Sequence, residues 1–167
     1  MRYNDNNINL FHGSNTVVNP IILNRGKSKT DFGKGFYLTK SRKQAEKMAL
    51  RKKYSKKEAE AVVNQYNFDY ERAEKFANIV TLKPDMTWLN ILFDNRFGTH
   101  KVNLSADIII GPTADGKLYK TLLSWKNGKI NQDEALLQLK PDLYTTQYCF
   151  KTERGISFLT FLDSTVL

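Results

Sequence analysis

Three short stretches of the chain carry residues able to hold and act on a small ligand: FHGS at 11–14, DFGKGFYLTK at 31–40 and TTQYCF at 145–150. In the first, His12 ends an apolar run and Gly13 follows, so an imidazole and an unobstructed backbone edge stand side by side. Glycine lets a ligand approach the main chain, whose N–H and C=O can grip an amide. The same residues also read as a turn with a structural histidine. In the second stretch, Gly33 and Gly35 permit close approach or positive φ, and Tyr37 offers a ring on which a flat group can stack. A tight turn entering a core strand, with Tyr37 as packing, accounts for it as well. In the third, Gln147 interrupts an apolar strand with an amide that can bond a sugar hydroxyl or be satisfied by its neighbours.

The remaining residues narrow the chemistry. Two histidines, His12 and His100, and one cysteine, Cys149, argue against a histidine-rich metal site, a cysteine zinc cluster or a disulfide framework. The chain has no Walker loop, no GxGxxG after a strand and no HExxH, and the GKG at 33–35 is too short to count. Nucleophile-and-base catalysis would need His12 or His100 beside a serine, a threonine or Cys149, and no motif supports that pairing.

Several elements that must position these residues are readable. INLFH at 8–12 reads as a short strand into Gly13-Ser14, and FYLT at 36–39 as another after the glycine turn. From Ser41 the pattern turns helical, with Ala45, Met48 and Ala49 on one face. Ser55 with Glu58 fits a capping box, yet AVVNQYNFD at 61–69 fits a strand, and both readings stand. A helix is expected over 84–96, with Pro84 near its start and Trp88, Leu89, Leu92 and Phe93 on its apolar face. ADIIIGP at 106–112 reads as a buried strand stopped by Gly-Pro, and LYKTLLSW at 118–125 as helix. Asn131 with Glu134 opens the helix DEALLQL. Past Pro141 come the strand YTTQYCF, a short helix from about Thr152 and the terminal apolar stretch FLTFL. Strands and helices mix without the strict alternation of a parallel sheet, which predicts an α+β fold.

With 41% hydrophobic residues among 167, and no repeat or linker to divide them, a single domain over 1–167 is expected. No stretch approaches the roughly 18 apolar residues of a membrane span, and the opening residues lack a signal-peptide run. With Cys149 alone, this predicts a cytoplasmic protein with no membrane partner. The net charge of +9 is local: from Lys40 to Lys57 nine basic residues accompany one acidic residue, Glu46. Such a stripe can attract nucleic acid, a phosphorylated ligand or an acidic partner, or be a solvated helix face.

Order and spacing join the three stretches. A strand ending in His-Gly, a glycine-rich turn into a strand bearing Tyr, and a polar residue on a late strand resemble the ADP-ribosyltransferase fold. FHGS, DFGKGFYLT, QAEKMA, VVNQYNFD, WLNILFDNR, DIIIGPTAD and TTQYCFKTE are together similar to a bacterial family of uncharacterised domains placed in that fold, over about Asn9 to Leu162. The resemblance implies a split β-structure with flanking helices that binds NAD in a cleft. His12 would then bond the adenosine-side ribose, the Gly13 backbone would grip the nicotinamide carboxamide, and Tyr37 would stack on the nicotinamide ring. Ser14, Gly35 and Phe36 would complete the NAD-binding surface. Gln147 would be the third catalytic position, at the nicotinamide ribose. Loss of nicotinamide develops positive charge on that ribose, so the site must orient the sugar and tolerate the charge.

The resembling type carries glutamate at the third position. Gln147 can orient a ribose hydroxyl but brings no full negative charge and cannot act as a general base. Two residues on stands Cys149, and Glu153 beyond it reads as a first-turn helix residue. The resemblance implies a mono-ADP-ribosyltransferase, a toxin-type effector of a toxin–antitoxin pair, that passes ADP-ribose from NAD to a nucleic-acid or protein acceptor. The basic stripe would recruit nucleic acid, steer the NAD diphosphate or dock an acidic antitoxin. The alternatives are a non-catalytic NAD- or nucleic-acid-binding module of the same fold, and a basic interaction protein without a small-molecule site. Asp107, Asp115 and Arg96 stay unassigned between cleft and scaffold.

Overall fold

The computed structural model describes residues 7–55, 59–99, 104–114, 117–139 and 145–167. The strands are β1 (Asn7–Ser14), β2 (Phe36–Thr39), β3 (Val62–Asp69), β4 (Ile79–Thr81), β5 (Ile108–Pro112), β6 (Thr146–Phe150) and β7 (Leu159–Val166). The helices are α1 (Arg42–Tyr54), α2 (Tyr70–Phe76), α3 (Met86–Phe97), α4 (Leu118–Lys126), α5 (Gln132–Leu139) and α6 (Glu153–Ile156). All seven strands join one sheet in the order β4-β5-β6-β2-β1-β3-β7, parallel only between β4 and β5. The fold is α+β, as the mixed pattern predicts.

Local chemistry sets the element ends. Ser41 caps α1 by accepting from the Gln44 N–H, and Asp85 caps α3 by accepting from Trp88. Gly98, in the left-handed region at φ 67°, closes α3. Asn131 and Glu134 cap α5 reciprocally, at 2.9 and 2.8 Å.

Both faces of the sheet are covered. On one, Trp88, Leu89 and Leu92 of α3, Leu122 of α4 and Leu139 of α5 pack on Ile109 and Cys149. On the other, Leu10, Phe36, Tyr66 and Phe68 gather with Ile108, Ile110 and Phe150. Three consecutive isoleucines are needed because a strand buried on both faces has no solvent side.

β1 runs in register with β3 from Asn7↔Asp69 to Ser14↔Val62, and β2 with β6 from Phe36↔Phe150 to Thr39↔Gln147. Between β1 and β2, Phe11↔Thr39 is the single registered pair among the described residues. The sheet is therefore two halves, β4-β5-β6-β2 and β1-β3-β7, meeting at one point. Beyond it, His12, Gly13 and Ser14 run on without a registered partner on the β2 side.

The stretch 61–69, open between helix and strand, is β3, flanked by β1 and β7. The terminal apolar stretch is part of β7, which continues to Val166. α2 and β4 were not anticipated. Among the described residues, no helix is long and apolar enough to cross a membrane. Glu58 of the proposed capping box, Lys56, Lys57, His100, Asp115, Pro141 and Tyr144 lie outside the described residues.

Candidate functional site

Where the two halves part, His12 and Gly13 meet a lysine from α1. The His12 Nδ1–H donates to the Tyr37 carbonyl at 2.7 Å, which leaves Nε2 as the basic nitrogen, 3.5 Å from Lys52 Nζ. The same ammonium donates to the Gly13 carbonyl at 2.7 Å. Lys52 reaches the site because it follows Ala45 and Ala49 at helical spacing, on the face α1 buries. Burial, then the Lys52 charge, lowers the His12 pKa from 6.5 to about 4. Burial, then Lys27, lowers that of Lys52.

The depressed histidine makes stability depend on pH. Because the folded value lies below the unfolded one, its contribution is complete above pH 6.5 and is lost as pH falls toward 4. The full shift corresponds to about 3 kcal/mol, and we expect ~2 kcal/mol because the ring is only partly buried. Urea unfolding at neutral and acid pH checks this. His12→Asn, which does not titrate, should lose about that much of the acid-induced drop.

The Tyr37 hydroxyl is fully engaged. It donates to the Gly33 carbonyl at 2.6 Å and accepts from the Phe32 N–H at 2.9 Å, with Thr30 Oγ1 also at 2.9 Å. Gly33 needs its φ of 76° to turn the chain back onto this hydroxyl. From outside, Lys151 Nζ donates to the carbonyls of Phe32 and Lys34 at 2.5 and 3.1 Å, and Asn95 to that of Asp31 at 3.2 Å. Tyr37 thus stands half-buried with its ring plane fixed, at the centre of a clamped loop.

Gln147 is buried and shares a face of β6 and β2 with Tyr37, Thr39 and Cys149. Its Nε2 donates to Asp31 Oδ2 at 2.8 Å and to the Pro112 carbonyl at 3.2 Å. The other Asp31 oxygen receives Nε and Nη2 of Arg96 at 3.1 and 2.6 Å. Pro112 also accepts from Trp88 Nε1 at 3.2 Å. Thr113 Oγ1, the next residue on, is a buried side-chain oxygen without a partner among the described residues.

Two of the three expected side chains, Tyr37 and Gln147, are brought onto one sheet face, and the third, His12, reaches only the Tyr37 backbone. The His12 ring, tilted by 36°, packs on Phe36 with centroids 4.5 Å apart. The other expected residues are closely packed. A Cβ on Gly13 would lie 2.0 Å from the Ala45 carbonyl oxygen, and one on Gly35 2.5 Å from Cys149 Sγ. Both glycines therefore make room for the protein's own packing, which leaves the Gly13 carbonyl as the group a ligand could use. Phe36 is buried between His12 and Tyr66, so its side chain supports the imidazole. Ser14 is buried opposite Val62. Cys149 is fully buried and its thiol is pushed up to about 11, first by burial, which removes it as a nucleophile.

Asp107 belongs to the scaffold, accepting from Thr152 Oγ1 at 2.6 Å and Asn78 N at 2.9 Å. Glu153 opens α6, as expected. Arg96 reaches the site through Asp31. Of the basic stripe, Lys52 turns inward, while Lys40, Lys43, Lys47, Arg51 and Lys53 stay exposed. Sequence reasoning missed Asp31 and Lys52. The signals were there: Asp31 is the lone acidic residue between Asp5 and Glu46, and Lys52 continues the Ala45–Ala49 face.

Residues 8–161 match the family described as "Protein of unknown function (DUF3990)". The chain belongs to that family. The span matched to DUF3990 contains every group of this site, from His12 to Lys151. No curated protein and no solved structure matches the chain.

Proposed function

We propose that this DUF3990 chain is a mono-ADP-ribosyltransferase that cleaves NAD and passes ADP-ribose to a macromolecule, as a toxin-type effector. What supports this reading most is one observation: where β1 and β2 part, His12 bonds the Tyr37 backbone, and Tyr37 shares a sheet face with Gln147, so motifs from position 12 to position 147 are linked through β2. They supply a neutral imidazole, a backbone carbonyl, a fixed aromatic ring and an oriented amide, the set the family resemblance calls for.

In this reading the nicotinamide carboxamide takes the Gly13 carbonyl that Lys52 holds in the free chain, and the long lysine stem lets the ammonium move to the NAD diphosphate. Tyr37 holds the leaving ring in line, and His12 Nε2 accepts from a ribose hydroxyl. The C1′–nicotinamide bond breaks, positive charge develops on the ribose, and the acceptor attacks C1′. The exposed cations of α1 flank this opening, which favours a nucleic-acid acceptor over a protein one.

Labelled NAD incubated with the protein, with and without RNA, DNA or lysate protein, tests the reading. Label should reach a macromolecule and disappear with His12→Ala, and transfer to nucleic acid should fall steeply with salt. NAD binding without transfer would favour the non-catalytic module, and neither binding nor transfer would sink both.

A further inference from the structure

We infer that Asp31 is the positioning residue of this site: it fixes Gln147 so that the amide oxygen meets the ligand, and it places a carboxylate one hydrogen bond behind that oxygen. The inference rests on the reading of the site as one that cleaves NAD.

The chemistry of the neighbours decides which way the amide points. Asp31 Oδ2 at 2.8 Å and the Pro112 carbonyl at 3.2 Å are both acceptors. Gln147 must turn its nitrogen toward them, and both of its donors are then used. What remains for an incoming molecule is Oε1, an acceptor like the glutamate oxygen it stands in for. Asp31 itself cannot swing away, because Arg96 holds its other oxygen at 2.6 and 3.1 Å and Asn95 holds its backbone carbonyl at 3.2 Å. The carboxylate is buried and its bond to the amide is charge-assisted, so it polarises Oε1 toward the negative. As the ribose gains positive charge, that oxygen stabilises it better than an unpolarised amide would. The missing glutamate is thus replaced by a pair.

Exchanging the two functional groups tests the pair. In Asp31→Asn, Arg96 claims the new amide's oxygen, its nitrogen faces Gln147, and Gln147 must flip to present a donor outward. In Gln147→Glu, two carboxylates oppose each other. Each single variant should lower kcat for nicotinamide release by roughly 30-fold or more, with KM for NAD moving less than about threefold. The double variant Asp31→Asn/Gln147→Glu restores a donor facing an acceptor and should recover at least about tenfold over either single. Recovery stays partial because the Pro112 carbonyl loses a donor. A double variant no better than the worse single, or an unchanged Asp31→Asn enzyme, overturns the inference.

A second readout needs neither turnover nor a variant. The Gln147 side-chain NH2 protons should be resolved by NMR and slow to exchange with solvent. Fast exchange there overturns the inference even in an active protein. If wild-type protein neither binds NAD nor releases nicotinamide, the functional reading falls, while these protons still decide whether Asp31 orients the amide.

Discussion

A methyl group at position 13 should unseat helix α1. The Cβ of alanine there would stand 2.0 Å from the Ala45 oxygen and 2.7 Å from the Ala49 nitrogen. Both are helix backbone, so no side-chain rotation relieves the clash. Ala45 and Ala49 are themselves buried and small, which is how the helix comes so close to β1. Moving α1 outward would open the packing against Val63 and carry Lys52 off the Gly13 carbonyl. We expect Gly13→Ala to cost about 4 kcal/mol or more, lowering Tm by roughly 10 °C or more. Gly128→Ala is the control: its φ is 69° but nothing lies within 4 Å, so about 1 kcal/mol is expected. If Gly13→Ala melts within a few degrees of wild type, the glycine serves something other than this packing.

That result bears on how a His-Gly pair is read in a sequence. Gly13 is visible as a glycine, but whether ligand or helix needs it depends on α1, which begins 29 residues later at Arg42. The elements that could be read carry their signal locally: Ile108–Ile110 before Gly111-Pro112, the Ser41 cap, the Asn131–Glu134 box. Those that could not depend on neighbours. α2 is seven residues long and buries only Ala73. The three residues of β4 are a strand because β5 lies beside them. Val62–Asp69 settles as β3 because strands flank it on both sides.

The site divides in the same way. His12, Tyr37 and Gln147 stand out by residue type and place. Asp31 and Lys52 acquire meaning through partners 116 and 40 residues away. No spacing rule links such positions, since the sheet brings them together. Gln147 reads in sequence as an amide without a charge, and the carboxylate bonded to it lies on the loop before β2.

Tyr37→Phe should be far from neutral, although it keeps the ring. If Tyr37 were only a stacking surface, phenylalanine would preserve function. Its hydroxyl, however, accepts the N–H of Phe32, a residue 1% exposed, and bonds the Gly33 carbonyl. Phenylalanine strands that N–H in the core, while the Gly33 carbonyl keeps Thr30 Oγ1 at 2.6 Å. Leaving one buried donor unpaired costs about 2 kcal/mol, or roughly 4–8 °C in Tm. The loss concentrates in residues 30–33, where Asp31 sits against Gln147. A loop that drifts there misplaces the Gln147 oxygen, so under the proposed function nicotinamide release should fall by about 100-fold. Hydrogen exchange separates the two accounts, because the Phe32 amide should lose protection in Tyr37→Phe while amides of β3 keep theirs. A variant that retains both activity and Phe32 protection would return Tyr37 to the role of a stacking ring alone.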